Sequence, residues 1–512
     1  MNASLDTRNA PLDQTSQIWD NPQRPDALNR GAGTNEVQAV DQADVTGNAA
    51  RDAATPIDGN ATNTGTRTQT TSSSGQPLFI DQLGNTAQVE ITRERTAEDN
   101  GGGNFSVLAD QLVFKTGDSS DRVSLTRTTD GGLSLDVNGE QYDVSLAPGQ
   151  QLTIRSGAGD DSIAVDPSVT INLIIEAGDG ADTVQGGSGN DRIDGGAGND
   201  RITTGSGFGY VFGGSGDDTI RAGNGTNTLY GGDGVDTING GNGNDYIEGG
   251  KGNDVINSGG GRNVVSGGLG DDTIAAAVSD RVYTGGGTNT VGGLGSDGVV
   301  YSAGVGDRIT GSGNADPSVV NVVLNSSAGL SGVRLEGSDA FVQRVEADLE
   351  LLRASPNGQQ MLAEFDSAAA RGNIVTIREL QNVDNGYAQS VPGSDIGSNG
   401  RPGRSGPVDI SYNPAFAIPQ LPVPSVTLFH EMSHAYNGVN GTFLPGTYNG
   451  PGVDQGRVPN AERQAVGLDS TARPYDFDGD PNTPATTHNP IPLTENGLRA
   501  EMGLALRPSY VI

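Results

Sequence analysis

The chain has no cysteine, which excludes disulfides and thiolate metal sites. Only 33% of its 512 residues are apolar and 80 are glycine, so much of the chain cannot build an ordinary globular core. No apolar run approaches the ~20 residues that a membrane helix needs. The first residues also lack the basic and apolar segments of a cleaved signal peptide, so we expect any export to use another route.

Basic residues are scarce as well, with 30 Lys plus Arg against 63 Asp plus Glu and a net charge of −33. Such a surface repels nucleic acid and anionic membranes and attracts cations. We therefore expect no nucleic-acid partner and no membrane span, and we take the chain to be a monomer.

Residues 1–77 are dominated by small polar side chains and show neither helical nor strand periodicity. They bury too little apolar surface to offset the entropy of ordering, so we predict a disordered tail. An uncleaved export signal is the alternative. Residues 78–155 then alternate in polarity, with a hairpin predicted around Asn138-Gly139, and we expect a small β region that caps the next domain.

A nine-residue pattern, Gly-Gly-x-Gly-x-Asp-x-aliphatic-x, dominates residues 156–310. It predicts a parallel β-roll, in which the glycine-rich half turns and the aliphatic residue points inward from a short strand. With 21 acidic and 7 basic residues here, the recurring carboxylates should repel one another until calcium binds. The predicted calcium ligands are Asp182, Asp191, Asp200, Asp218, Asp236, Asp245, Asp254 and Asp272. A glycine-rich β-helix that needs no metal is the alternative.

The array is imperfect, because Gly209, Asn227, Asn263 and Asn289 replace the aspartate, and those turns should bind calcium weakly or not at all. The repeats resemble the RTX (repeat-in-toxin) family of calcium-binding β-rolls over about 150 residues. In that family the array usually follows the enzyme and accompanies one-step export. Here it precedes the candidate enzyme.

Beyond residue 335 the composition changes and predicts an α+β domain. A helix is expected through Phe341 and Leu352, capped by Ser338 and ended at 355–358, followed by a helix over 359–370. A strand is predicted at 373–377 and an edge strand at 408–412 beside the active site. Ser425 is predicted to cap the next helix.

That helix carries His430-Glu431-Met432-Ser433-His434. His430 and His434 are one turn apart and can share a metal, and Glu431 can then accept a proton from water at the remaining coordination position. Zinc needs a third protein ligand, for which we predict Glu462, separated from His434 by 27 residues and at the start of a second helix.

Two further residues are assigned roles at this site. His488, the third histidine of the chain, is the competing zinc ligand, or else a donor to the oxyanion of the transition state. Asp469 is a candidate hydrogen-bond partner for a zinc-bound histidine.

Most of residues 337–512 also resembles the NleD-like family of bacterial effector zinc metallopeptidases. The residues that carry the resemblance are 429–436, 460–468, 476–481 and 494–503. The resemblance implies a secreted protease that is delivered into or acts on host cells and cleaves a protein, and some relatives cleave host signalling kinases. Glu495 and Arg499 fall within these segments and are either catalytic or a buried salt bridge.

The sequence thus predicts a multidomain protein with a disordered tail (1–77), a β cap (78–155), a calcium β-roll (156–310), a connector (311–336) and a zincin-like α+β metallopeptidase domain (337–512). We interpret it as a secreted zinc endopeptidase with Zn²⁺ and Ca²⁺ as cofactors and a protein substrate, with a host signalling protein as one option. The alternative is a calcium-binding adhesion or surface protein with a degenerate protease domain.

Overall fold

The computed structural model describes residues 54–59, 67–72, 75–101, 104–380, 386–389, 391–415, 423–479 and 482–511. The predicted tail over 1–77 lies largely outside these residues. Inside it, however, residues 55–58 and 67–71 form strands, because each pairs with a longer strand of the following region. For these residues the prediction of disorder is wrong.

The regular elements in the first two thirds of the described chain are strands. Those before the repeats are β1 (Thr55–Asp58), β2 (Arg67–Thr71), β3 (Pro77–Asn85), β4 (Glu90–Asp99), β5 (Phe105–Lys115), β6 (Arg122–Arg127), β7 (Leu133–Val137), β8 (Glu140–Ser145) and β9 (Gln151–Arg155). The following strands up to residue 257 are β10 (Ser162–Val165), β11 (Leu173–Asp179), β12 (Thr183–Gln185), β13 (Asp191–Ala197), β14 (Arg201–Thr203), β15 (Gly209–Ser215), β16 (Thr219–Arg221), β17 (Asn227–Asp233), β18 (Thr237–Asn239), β19 (Tyr246–Lys251) and β20 (Val255–Asn257). The last are β21 (Val264–Leu269), β22 (Thr273–Ala275), β23 (Arg281–Tyr283), β24 (Thr290–Leu294), β25 (Val299–Ser302), β26 (Arg308–Gly311) and β27 (Ser318–Asn321).

These strands form two stacked sheets wound as a parallel solenoid. The even-numbered strands from β10 to β26 continue a 13-stranded sheet, and the odd-numbered strands from β9 to β27 continue a 14-stranded sheet. One coil is two nonapeptides, as the register of Thr183 with Arg201 shows. The inward aliphatic side chains, such as Ile202 and Ile220, are fully buried and stack between the sheets. The predicted β-roll is confirmed.

Glycine is required where one coil passes over the next. Gly196 has φ of +101°, and a Cβ there would lie 2.0 Å from the carbonyl oxygen of Gly178 in the preceding coil. A side chain could therefore enter this turn only if the coils moved apart.

The region before the repeats belongs to the same two sheets. β5 pairs with β9 and β6 pairs with β10, both in parallel. The predicted hairpin joins β7 and β8, with Asn138 and Gly139 at φ of 53° and 93°. At the other end, the predicted connector is wrong in part, because residues 318–321 form the last strand of the roll and residues 333–336 the first strand of the next sheet.

The C-terminal region is a small α+β unit. Its elements are β28 (Val333–Glu336), α1 (Asp339–Ala354), α2 (Pro356–Ala369), β29 (Val375–Glu379), β30 (Gly386–Ala388), β31 (Val408–Tyr412), α3 (Pro424–Asn440), α4 (Asn460–Val466), a 3₁₀ helix (Ile491–Leu493) and α5 (Glu495–Glu501). The sheet order is β28-β29-β31-β30. Strand 408–412 is therefore internal rather than an edge, because β30 adds to it on the outer side.

Two helix starts also differ from the sequence prediction. Ser355 accepts a hydrogen bond from the N–H of Gly358 and caps α2, which begins at Pro356 rather than at residue 359. Ser425 does not cap α3, because the helix begins one residue earlier with Pro424 in its first turn. No helix in the described part of the chain is long and apolar enough to cross a membrane.

The solenoid and the C-terminal unit share a buried contact. Helix α1 lies against β17, β19 and β21 on the outer face of the 14-stranded sheet. Tyr230 and Tyr246 are buried there and both donate hydrogen bonds to Asp348 of α1, over 3.0 and 3.1 Å. At the end of the sheet, Tyr283 donates to Glu501 of α5 over 3.1 Å.

Candidate metal centre

Helix α3 carries the His-Glu-x-x-His motif through the core of the C-terminal unit. Pro424 stands in its first turn, where a missing N–H costs nothing, and Gly441 ends it in the left-handed conformation with φ of 69°. Residues 424–439 are all buried. A helix enclosed on every side holds His430 and His434 in fixed orientations.

Three ligand atoms converge at this helix. Nε2 of His434 lies 3.2 Å from Nε2 of His430 and 3.0 Å from Oε2 of Glu462, and the remaining separation, between His430 and Glu462, is 3.4 Å. Zinc bonds of ~2.0–2.1 Å in a tetrahedron place neighbouring ligand atoms about 3.4 Å apart. These three side chains therefore fit a zinc ion. They are also the group of potential metal ligands found among the described residues.

Glu495 supports His430 from the far side of the ring. Its Oε2 lies 3.0 Å from Nδ1 of His430, and an N–H at Nδ1 donates to this carboxylate and leaves the Nε2 lone pair free. Arg499 and Arg507 also donate to Glu495, over 2.8 and 2.9 Å. Glu495 is fully buried at the start of α5, which Thr494 caps. Glu495 thus forms a buried salt bridge with two arginines and also holds His430 of the motif in position.

The electrostatics of the centre favour a cation. Burial disfavours the charged imidazole of His430, but hydrogen bonds to Glu462 and Glu495 outweigh it and raise its pKa to about 9. Burial opposes ionisation of Glu495, yet Arg507 and His430 lower its pKa to about 2. The pKa of Glu462 is lowered as well, by both imidazoles against burial. Proton and metal therefore compete for the same nitrogen atoms.

The C-terminal segment completes the centre. The ring of Tyr510 lies 6.2 Å from that of His430, and burial together with the negative charges of Glu462 and Glu431 raises the pKa of its phenol well above the usual value. Asp454 fixes this segment by accepting from the backbone N–H of Tyr510 over 2.9 Å. It also pairs with Arg463, the residue after Glu462.

Sequence reasoning missed the part played by Asp454, Arg507 and Tyr510. They lie far from the motif in sequence and have no periodic spacing to it. The available signal was weak: Arg507 is a basic residue in an acidic chain, and Tyr510 is an aromatic residue in a chain with few aromatics.

The remaining predicted site residues lie apart from the three ligands. Nδ1 of His488 is 2.6 Å from the carbonyl oxygen of Asn489, and its Nε2 is 4.0 Å from Asp469. The arrangement therefore brings Glu462, and not His488, into the ligand group. Asp469 does not contact a motif histidine: α4 ends at Val466, where Gly467 turns left-handed, and the Asp469 side chain is 89% exposed. Glu495 takes the supporting position that was predicted for Asp469.

Glu431 faces the sheet. It is 3% exposed, and a Cβ at Gly386 of β30 would lie 3.7 Å from its Cγ. Since β30 is the terminal strand of the four-stranded sheet, the strand beside the motif is the 386–388 segment.

The roll carries two rows of stacked side chains, one on each side. Along one side, here called the carboxylate edge, each backbone N–H donates to Oδ1 of the aspartate in the next coil, as Asp200 does to Asp218 over 2.7 Å, until Asp272 donates to Oδ1 of Asn289. Its members are Asp121, Asp161, Asp182, Asp200, Asp218, Asp236, Asp254 and Asp272. Burial first, and then neighbouring carboxylates, raise the pKa of Asp200 and Asp236 to about 8. Stacked carboxylates of this kind fit calcium.

The opposite side, here called the amide edge, has a mixed composition. Its members are Asp191, Gly209, Asn227, Asp245, Asn263 and Asp280. Three of the four substitutions noted in the sequence, at Gly209, Asn227 and Asn263, thus fall on one edge.

Two imidazoles on one helix turn, a carboxylate from a second helix and an adjacent glutamate are the parts of a metallopeptidase site. Comparison with known families agrees. Residues 330–510 match the model of peptidase family M91, described as an effector protein, and residues 176–211, 212–247 and 239–274 match the RTX calcium-binding nonapeptide repeat (4 copies). The C-terminal region therefore resembles the NleD-like effector peptidases, and it follows an array of RTX repeats. No curated protein and no solved structure matches the chain.

Proposed function

We propose that the protein is a zinc-dependent endopeptidase that hydrolyses peptide bonds of a protein substrate. The observation that carries the proposal is the convergence of His430, His434 and Glu462 at separations of 3.0–3.4 Å. The adjacent Glu431 and the match to a peptidase family support it.

The three ligands would hold the zinc ion, which when bound polarises the scissile carbonyl and lowers the pKa of water. Glu431 then accepts a proton from the attacking water and returns it to the amine that leaves. Glu495 keeps His430 in the tautomer whose Nε2 faces the other ligands. Tyr510 lies beside His430, with its ring 6.2 Å from the imidazole.

The sheet suggests how a substrate is oriented. β30 is the terminal strand and passes Glu431, so an extended segment of substrate can add to it by main-chain hydrogen bonds. Such pairing places successive peptide groups along the strand. It suits cleavage within a chain, with limited dependence on its sequence.

The proposal extends to where the enzyme acts. The family model is described as an effector protein, and RTX repeats are typical of secreted proteins. We infer a secreted protein whose roll is loose at low cytosolic calcium and rigid outside the cell, and whose substrate is a protein of a host cell into which it is delivered. A host signalling protein is the narrower option.

Metal content tests the proposal. Purified protein, freed of weakly held calcium, is analysed by elemental mass spectrometry together with His430→Ala and Glu431→Gln. We expect about one zinc ion per chain in the wild type and in Glu431→Gln, and none in His430→Ala. Glu431→Gln then serves as a trap for substrates, since it keeps the metal and lacks the base.

The proposal would be overturned if the wild type contained no zinc, or if His430→Ala contained as much zinc as the wild type. The calcium-binding roll would then be the functional part, as in a surface or adhesion protein. Equal biological effect of the wild type and Glu431→Gln would point the same way.

A further inference from the structure

The two oxygens of each aspartate on the carboxylate edge differ in their surroundings. From Asp161 onwards, Oδ1 accepts the backbone N–H of the preceding coil, as in the 2.8 Å bond from Asp218 to Asp236, and Oδ1 of Asp121 accepts from the side-chain amide of Asn138 over 2.6 Å. Oδ2 is buried and has no hydrogen-bond donor at all eight positions of this edge. A buried carboxylate oxygen without a partner is costly, so a row of them indicates a cation.

The repeats show where such a cation is accommodated. A Cβ at Gly213 would lie 2.4 Å from Oδ2 of Asp218 and 2.5 Å from the carbonyl oxygen of Gly231 in the next coil. Gly231 stands in the same relation to Asp236 and Gly249. The carboxylate and a carbonyl from the neighbouring coil thus converge on space that exists because the residue is glycine, and calcium prefers several oxygen ligands of this kind.

On the amide edge most of the corresponding groups are already satisfied by the protein. Oδ2 of Asp191 accepts the N–H of Gly187 over 2.8 Å. Oδ2 of Asp280 accepts both from the hydroxyl of Ser258, over 2.6 Å, and from the N–H of Ala277, over 2.7 Å. These carboxylates therefore need no cation.

Asparagine replaces a cation at other positions of the amide edge. Nδ2 of Asn227 donates to Asp245 over 3.0 Å, and Nδ2 of Asn263 donates to Asp280 over 3.1 Å. Asp245 keeps a buried Oδ2 without a donor, but its neighbours along this edge are the two amides, not carboxylates. A second charged ligand is missing there.

The carboxylate edge also extends beyond the matched repeats, which begin at residue 176. Asp121 donates its N–H to Asp161, and Asp161 donates to Asp182, both over 2.7 Å. The register of the second sheet places Thr116 beside Ser156 and Ser156 beside Ala177, in the column that glycine occupies from Gly195 onwards. Side-chain hydroxyls thus take the place of glycine in these first two turns.

The two hydroxyls have different surroundings. Oγ of Ser156 is buried and has no hydrogen-bond partner, whereas the hydroxyl of Thr116 donates to the carbonyl of Ser156 over 2.6 Å. Ser156, five residues before Asp161 in the same turn, therefore adds one more buried oxygen without a partner.

We propose that calcium binds along the carboxylate edge alone, and that the row begins at Asp121 and Asp161, outside the recognised repeats. The two added sites join turns 116–121, 156–161 and 177–182. Because β6 follows Asp121 and β10 follows Asp161, these ions fasten the N-terminal strands to the roll. Asp191, although it fits the repeat pattern, is a structural residue.

Calcium stoichiometry of the full chain, measured by equilibrium dialysis, tests this assignment. We expect Asp121→Asn/Asp161→Asn to bind about two fewer calcium ions than the wild type, one for each turn pair that it breaks. Asparagine is tolerated in this row, because Asn289 accepts from Asp272 over 2.8 Å and donates to Asp307 over 2.9 Å.

Asp160→Asn is the matched control. It removes one of the two charges that the double variant removes, at the residue next to Asp161, and asparagine already makes the equivalent contact at Asn199, whose Oδ1 accepts the N–H of Asp217 over 2.9 Å. We expect Asp160→Asn and Asp191→Asn to bind as many ions as the wild type. A double variant with the wild-type number of ions would overturn the added sites, and a loss in Asp191→Asn would overturn the restriction to one edge.

Hydrogen exchange of the unchanged protein gives a second measurement that does not depend on the folding of a variant. Adding calcium to chelator-treated protein should protect the amides of 116–127 and 156–165 together with those of the repeats. Protection confined to the repeats would overturn the proposal.

Discussion

Asp348 is an ionisable residue in the contact between α1 and the roll. Its side chain is fully buried, and its Oδ1 accepts from the hydroxyls of Tyr230 and Tyr246. Burial outweighs these hydrogen bonds and the nearby Arg344 and raises the pKa of Asp348 to about 7. Glu248 of β19, which accepts from Tyr246 over 3.2 Å, is buried beside it with its own pKa raised well above the usual value.

The sign of the resulting pH dependence is set by linkage. The folded pKa of about 7 exceeds the unfolded value of 3.8, so the folded state binds more protons between them and loses stability as pH rises from about 4 to 7. Because the folded pKa lies about three units above the unfolded one, ionisation of Asp348 lowers the free energy of unfolding by about 4 kcal/mol once the pH is above 7. Between pH 5.5 and 8 the free energy of unfolding of the wild type should fall by about 2 kcal/mol.

Asp348→Asn keeps an oxygen for the two tyrosine hydroxyls and removes the titration. Its amide replaces a buried Oδ2 that has no donor, which costs about 1–3 kcal/mol at every pH. The variant should therefore be less stable than the wild type at pH 5.5, and this deficit should shrink or reverse by pH 8.

The assay is the free energy of opening of α1 amides, from hydrogen exchange at saturating calcium and at both pH values. Asp339→Asn, at an exposed position on the same helix, is the control for charge. Equal pH dependence in the wild type and Asp348→Asn would refute the reasoning. It would mean that Asp348 keeps the same protonation state across this range.

Two further predictions concern the zinc ligands. Glu495→Gln removes the charged acceptor from Nδ1 of His430 and should weaken zinc binding about 10–100-fold, measured by competition with a chelator; unchanged affinity would contradict the supporting role. Glu462→Gln should lose most of its zinc while His488→Ala retains it, by elemental mass spectrometry. The opposite result would restore His488 as the third ligand.

The sequence was sufficient for features that rest on local spacing. The nonapeptide period predicts the roll, because each repeat has its own inward aliphatic residue and its own turn glycines. The four-residue spacing of His430 and His434 predicts their shared face, and a carboxylate opening the next helix predicts Glu462. The site geometry agrees with all of these, although zinc itself stays a prediction.

The features that the sequence could not show depend on distant partners. Glu495 faces His430 across 65 residues, and nothing in the local pattern separates a salt bridge with Arg499 from a contact with the motif. The internal position of 408–412 depends on a three-residue strand, 386–388, that is too short to give a periodic signal. The two edges of the roll become distinct only when alternate repeats are stacked.

The contact between the roll and the peptidase region links these features. Tyr230 and Tyr246 belong to successive coils and meet Asp348 only because those coils are in register. Tyr283 reaches Glu501 of α5, the helix that begins with Glu495. The same strands run to the turns of the carboxylate edge, so calcium that fixes the coils also fixes the surface against which α1 and α5 pack. Removing calcium should therefore loosen the support of Glu495 and, through it, of His430.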